Sequence, residues 1–129
     1  MDHNEPYDEN YLAEILASVK NIAMVGASPD PTKFSYGVLR VLHEQGFNMM
    51  PVNQKPEVKE IRGIKVYQSL QSVDQPIDMV QVFRNSNALY GIAEEAIEVG
   101  AKFLWAQIGV LNEDAAKLAE NTGLKVVMN

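Results

Sequence analysis

Five short apolar runs, set apart by longer stretches whose apolar residues recur every three or four positions, dictate what this chain can fold into. The runs are Asn21–Val25, Phe47–Val52, Ile77–Phe83, Lys102–Ala106 and Lys125–Met128. Each is too short for a helix, and none shows the strict in-out alternation of a strand with one wet face, so each reads as a strand buried on both sides. The stretches between them carry helix signals. Asp8 caps a leading helix with Tyr11, Leu12, Ile15, Leu16 and Val19 on one stripe. Ser35 caps a second that carries Val38, Leu39, Val41 and Leu42 to a stop at Gly46. Asn85, Ser86 and Asn87 precede a third with Leu89, Ile92, Ala93, Ala96 and Ile97, closed by Gly100. Asn112 opens a fourth over Ala115–Asn121, closed by Gly123. Ile64–Tyr67 behind Gly63 reads as a short extra strand in an otherwise polar connection. Strand alternating with helix is the pattern of an α/β protein: a Rossmann-like, doubly wound parallel sheet of about five strands with helices on both faces. The expected division is residues 1–20 as a polar leader and a helix packed on the domain, and residues 21–129 as the ligand-binding domain.

Composition narrows the function classes. At 129 residues with no repeat or linker the chain is expected to form one domain. It has no cysteine, so disulfides, thiolate metal sites and a cysteine nucleophile are excluded, and its two histidines leave little for a zinc site. A formal net charge of -6 opposes non-specific contact with nucleic acid or an anionic membrane. No apolar run nears the roughly 18 residues of a membrane span, and Met1–Tyr11 is polar and acidic, unlike a secretory signal. The expected setting is the cytoplasm. The expected partner is a small molecule, with a protein partner or a homodimer left open.

In a doubly wound sheet, ligands bind outside the carboxyl ends of the strands, where the winding reverses. That points to the loops beginning at Gly26, Asn53, Phe83 and Gln107. Gly26-Ala27-Ser28 follows the first strand, as a phosphate loop would, and Lys33 adds a cation that can reach a diphosphate. Only the first glycine of G-x-G-x-x-G is present, with Ser28 and Pro31 at the other two places; a simple turn glycine and a solvated surface lysine are the structural alternatives. The second strand ends Pro51-Val52-Asn53-Gln54-Lys55, without the acid that binds the ribose diol of NAD. A neutral Asn53 followed by Lys55 suits a ribose that carries a phosphate, as in NADP or coenzyme A; a turn asparagine and a loop charge are the structural alternative. Phe83 offers an aromatic wall and Arg84 a bidentate phosphate partner, although Phe83 also suits the core. Gln107 offers an orienting amide, and Gly109 close backbone approach. No base accompanies Ser28, and His43 falls inside a helix, so no hydrolase triad is visible.

Five blocks in order, Val25-Gly26-Ala27-Ser28, Pro51-Val52-Asn53, Val82-Phe83-Arg84, Gly100-Ala101-Lys102 with Trp105-Ala106-Gln107-Ile108-Gly109-Val110, and Gly123-Leu124-Lys125-Val126-Val127-Met128, resemble the small CoA-binding protein family. Its members are similar to the amino-terminal nucleotide domain of the succinyl-CoA synthetase alpha subunit. The resemblance runs from about Asn21 to the end of the chain. It implies coenzyme A, free or acylated, lying across the strand ends: Gly26, Ala27, Ser28 and Lys33 at the diphosphate, and Val52, Asn53 and Lys55 at the ribose and its 3′-phosphate. Phe83 and Arg84 would stand on the adenine side or along the arm, with Gln107 and Gly109 towards the pantetheine. Two positions depart from the family. Gln54 stands where relatives commonly have proline, and the sequence stops at Asn129 where relatives continue with Arg-Cys-Pro. The phosphorylated histidine of the synthetase belongs to a second domain without a counterpart here, so ligase activity is not implied. The resulting expectation is a CoA-binding protein without chemistry of its own. The alternative is an NADP-type nucleotide-binding subunit of an oxidoreductase or ligase that another chain completes.

Overall fold

In the computed structural model, which describes residues 2–3, 7–107 and 111–128, β1 (Asn21–Val25) lies between β2 (Asn48–Val52) and β5 (Met79–Val82), parallel to both. β6 (Phe103–Ala106) and β7 (Lys125–Val127) continue outward from β5, giving a five-stranded sheet in the order β2-β1-β5-β6-β7. All five expected strands are present. Alternate residues along each strand face opposite ways, and both sets are apolar because both faces are covered. On one face Ile22 and Met24 of β1 pack with Ile15 of α1 (Glu9–Ala17) and Leu39 of α2 (Phe34–Glu44). On the other, Ala23 and Val25 pack with Leu89, Ala93 and Ala96 of α3 (Ser86–Glu98), and Val126 with Ala115 and Ala119 of α4 (Glu113–Asn121). The connection from β1 through α2 leads to one edge, and the path from β5 through α3, β6 and α4 leads to the other. The winding therefore reverses between β1 and β5.

Three helix starts follow the sequence: the side chains of Asp8, Asn85 and Asn112 accept from the amides of Asn10, Ala88 and Ala115 at 2.7, 3.1 and 3.0 Å. The start of α2 differs. Its cap is Lys33, which makes no side-chain cap bond, and Ser35 lies buried inside the first turn. The cause is local: Asp30 Oδ1 accepts from the amide and hydroxyl of Thr32 at 2.9 and 2.8 Å, and the resulting turn carries the chain into the helix before Ser35 is reached. Ser35 Oγ instead accepts from the amide of Ser28 at 3.1 Å, which ties the loop after β1 to α2.

The expected strand at Ile64–Tyr67 divides in two. Ile64–Lys65 (β4) pairs antiparallel with Glu60–Ile61 (β3), a short strand inside the segment read as polar connection. Arg62 and Gly63 make the turn with φ of 52° and 77°. Tyr67 instead adds one parallel bridge outside β2: its amide donates to Pro51 O, and its carbonyl accepts from Asn53 N, both at 2.9 Å. That bridge brings Gln68–Gln71 up beside the end of β2.

The opposite edge is finished by tyrosines. Val126 in β7 and Met128 just beyond it turn their backbone groups away from β6, where an edge strand would meet solvent. Tyr11 OH accepts from Val126 N at 3.1 Å and donates to Val126 O at 2.8 Å, and Tyr7 OH lies 2.6 Å from Met128 N and 2.9 Å from Met128 O. His3, buried at 6% exposure, joins Tyr7 OH through Nδ1 and Glu120 Oε1 through Nε2. Burial raises both phenol pKa values above 10.0, against the lowering effect of the Met128 and Val126 backbone bonds. A raised folded-state pKa means this contribution is complete below pH 10 and is lost as pH rises through the folded value. Tyr11→Phe is expected to lower stability by about 1 kcal/mol at neutral pH. Urea midpoints of wild type and variant should converge above pH 10; a constant gap across that range would contradict the capping role.

Candidate functional site

A cleft of about 400 Å³ opens where the winding reverses, at the carboxyl ends of β1 and β2 and beside that of β5. Gly26 forms its floor with φ +86°; a Cβ there would stand 2.7 Å from Phe83 O and 3.0 Å from Arg84 Cδ, so only glycine permits β1 and β5 to approach this closely at their ends. The amides of Gly26 and Ala27 both donate to Val52 O, at 3.1 and 3.2 Å, and that of Ser28 to Ser35 Oγ. The loop amides that a phosphate-loop reading turns towards the ligand are thus held inside the protein. Asn53 is held likewise: its Nδ2 donates to Ala27 O at 2.8 Å, and its Oδ1 accepts from Lys55 N at 2.9 Å. The asparagine welds the loops after β1 and β2 and fixes the backbone from which Lys55 projects.

Of the residues expected at the site, Gly26, Ala27, Ser28, Val52, Asn53, Lys55 and Arg84 line the cleft together. Lys33, Phe83 and Gln107 stand outside its lining. Gly109 lies outside the described residues. For Phe83 the reason is the pleat. Val82 faces α3, so Phe83 turns to the α1–α2 side and packs there, and Arg84 returns to the α3 side where the cleft is. Lys33, the cap of α2, is exposed, and Gln107 N is engaged with Val82 O at 3.2 Å. The cleft also takes Gln54, Gln68, Ser69, Leu70 and Gln71, together with Ile92 and Glu95 of α3. No sequence signal marks Gln68–Gln71 as lining, because their position follows from the Tyr67 bridge. Glu95 reads in sequence as one more solvated helix carboxylate. Its place in the cleft lining depends on how α3 packs.

Chemically, the cleft offers two exposed cations, Lys55 and Arg84, one carboxylate, Glu95, and several amide and hydroxyl side chains around an apolar floor. Among the described residues no three His, Asp or Glu side chains converge to hold a metal ion. No helix among them is long and apolar enough to cross a membrane.

The sequence profile of the CoA binding domain family matches residues 20–129. The chain belongs to this family. It is similar to an uncharacterized protein of Bacillus subtilis, YneT, with 41% identity over 118 residues, 92% of this chain and 86% of the relative. The structure of a hypothetical protein from Pyrococcus horikoshii OT3 superposes with a TM-score of 0.90 at 34% identity, covering all of this chain and 92% of the other. The alpha subunit of ADP-forming acetate-CoA ligase I of Pyrococcus furiosus is 30% identical over 83% of this chain, which spans only 25% of that subunit. The chain is therefore a CoA-binding domain homologous to one part of a ligase alpha subunit.

Proposed function

We propose that the cleft binds the nucleotide end of coenzyme A or of an acyl-CoA, and that the protein is a cytoplasmic CoA-binding module that leaves any chemistry to another chain. The observation that carries this reading is the end of β2. A ribose diol calls for a carboxylate there; this chain has Asn53 locked into the fold and Lys55 projecting beside it, with Arg84 lining the same cleft. Two cations in one cleft, with no acid at the end of β2, suit a ribose phosphate and a diphosphate. The apolar floor of Val52 and Leu70 suits a purine face, and Glu95 can accept from a ribose hydroxyl or the adenine amino group. Family membership favours CoA over NADP as the phosphate-bearing nucleotide. A protein partner enters the same reading, because the ligase relative is itself a subunit.

Lys55→Ala is expected to weaken CoA about tenfold and leave dephospho-CoA unchanged, because one charge-assisted contact to the 3′-phosphate is worth about 1.5–3 kcal/mol before screening at this exposed site. Arg84→Ala should weaken both ligands if it meets the diphosphate. Calorimetric titration of the two ligands into both variants separates the roles. Equal affinity of wild type for CoA and dephospho-CoA would remove the 3′-phosphate from the cleft.

A further inference from the structure

The α1–α2 layer does not close over the middle of the sheet. α1 is drawn to the β7 edge by Tyr11 and by a Glu14–Lys125 ion pair of 2.8 Å, while α2 packs towards β1 and β2. Between them, the carboxyl halves of β5 and β6 keep Gln81, Phe83 and Trp105 half exposed, although β5 is the central strand of the sheet. Gln81 and Trp105 are register partners, and Phe83 follows on the same face. Phe34, the first residue of α2, stands beside them with its ring centroid 6.1 Å from that of Phe83 and 69% of its surface exposed. Phe34 thereby extends the partly exposed rings of Phe83 and Trp105 into one aromatic patch, which is more informative than a single exposed side chain. Beneath, Gln81 Oε1 has no hydrogen-bond partner among the described residues.

This aromatic surface adjoins the cleft across the end of β5. Arg84 lines the cleft, Phe83 belongs to the aromatic surface, and Gly26 packs against the peptide between them. A ligand held by its nucleotide in the cleft therefore reaches the aromatic surface by crossing one strand end. We infer that the surface formed by Phe34, Phe83 and Trp105 receives the distal arm of a CoA thioester, with the acyl group against Phe34, so that the protein prefers an apolar acyl-CoA to free CoA. The inference rests on the nucleotide reading of the cleft. An acyl chain supplies the apolar surface that Phe34 lacks, and the amide N–H groups of the pantetheine arm are donors that Gln81 can meet after a rotamer change.

The test is calorimetric titration of the full chain with CoA, hexanoyl-CoA and adenosine 3′,5′-bisphosphate, which has the nucleotide head and no arm, repeated on Phe34→Ala. Phe34 is mostly exposed, so the variant should fold. Wild type should bind hexanoyl-CoA at least about tenfold more tightly than CoA, which is what burial of about two methylenes supplies. In Phe34→Ala that ratio should fall to about one. Binding of CoA and the bisphosphate with no acyl preference, or a preference untouched by Phe34→Ala, overturns the inference and leaves the cleft reading standing. Failure of both CoA and the bisphosphate to bind overturns the cleft reading itself.

Discussion

Gly26→Ala should lower the stability of this protein by about 3 kcal/mol, two costs acting at one residue. The first is conformational: φ of +86° is a region that a residue with a Cβ enters at about 1–2 kcal/mol. The second is steric. The new methyl would meet the Phe83 carbonyl oxygen at 2.7 Å, and because that atom is backbone at the end of the central strand, relief requires β1 and β5 to part. Gly123→Ala isolates the first cost: φ there is +96°, and nothing stands within 4 Å of the added carbon. Urea denaturation of both variants should show Gly123→Ala losing about 1 kcal/mol and Gly26→Ala clearly more. Equal losses would mean that the close approach of the strand ends carries no strain. The same displacement moves Arg84 relative to Lys55, so CoA affinity should fall in Gly26→Ala and hold in Gly123→Ala.

At the other end of the sheet, Asp78→Ala should cost about 2–3 kcal/mol. One carboxylate oxygen of Asp78 accepts from the amides of Lys20 and Asn21, at 3.0 and 2.9 Å, just where β1 begins. Its backbone amide donates to Asn21 O, and its carbonyl accepts from Lys102 N and Phe103 N. The residue thus gathers the amino ends of β1, β5 and β6, and removing its side chain orphans two amides beside the sheet. Partial burial alone would raise the carboxyl pKa; the bonds from Asn21 and Lys20, with the nearby Lys102 and Lys20 charges, outweigh it and hold the pKa below 3.8. A depressed folded-state pKa contributes stability that is present above the unfolded value and lost as pH falls through the folded one. The advantage of wild type over Asp78→Asn should accordingly shrink below about pH 4. A gap that stays constant between pH 6 and pH 3 would show that the charge is not what holds the strands.

The architecture was legible because apolar runs buried on both faces leave little choice besides a covered parallel sheet. The loops that carry the cleft followed from the same logic, whereas strand order and the reversal between β1 and β5 come from the pairing of the strands in space. What the runs concealed was parity. Ile77–Phe83 carries apolar residues at both parities, so it does not say which layer each side meets, and Phe83 falls on the α1–α2 side while Arg84 falls in the cleft. Asn53 was legible as a loop residue at the end of β2 but not as a brace, since its bonds to Ala27 and Lys55 depend on two loops meeting in space. Gln68–Gln71 and Glu95 were hidden for a similar reason: a single Tyr67 bridge and the packing of α3 bring them in. The tyrosine edge joins residues more than a hundred positions apart, beyond the reach of any local pattern.

Lys55 and Arg84 lining one cleft, with no acid at the end of β2, lead to a single expectation about the nucleotide. The most direct test is calorimetric titration of the wild-type chain with CoA and, separately, with NADP at moderate ionic strength. Saturable binding of one CoA per chain, with NADP bound far more weakly or not at all, is the predicted result. Saturable binding of NADP with none of CoA would contradict it and turn the search towards a hydride-transfer partner.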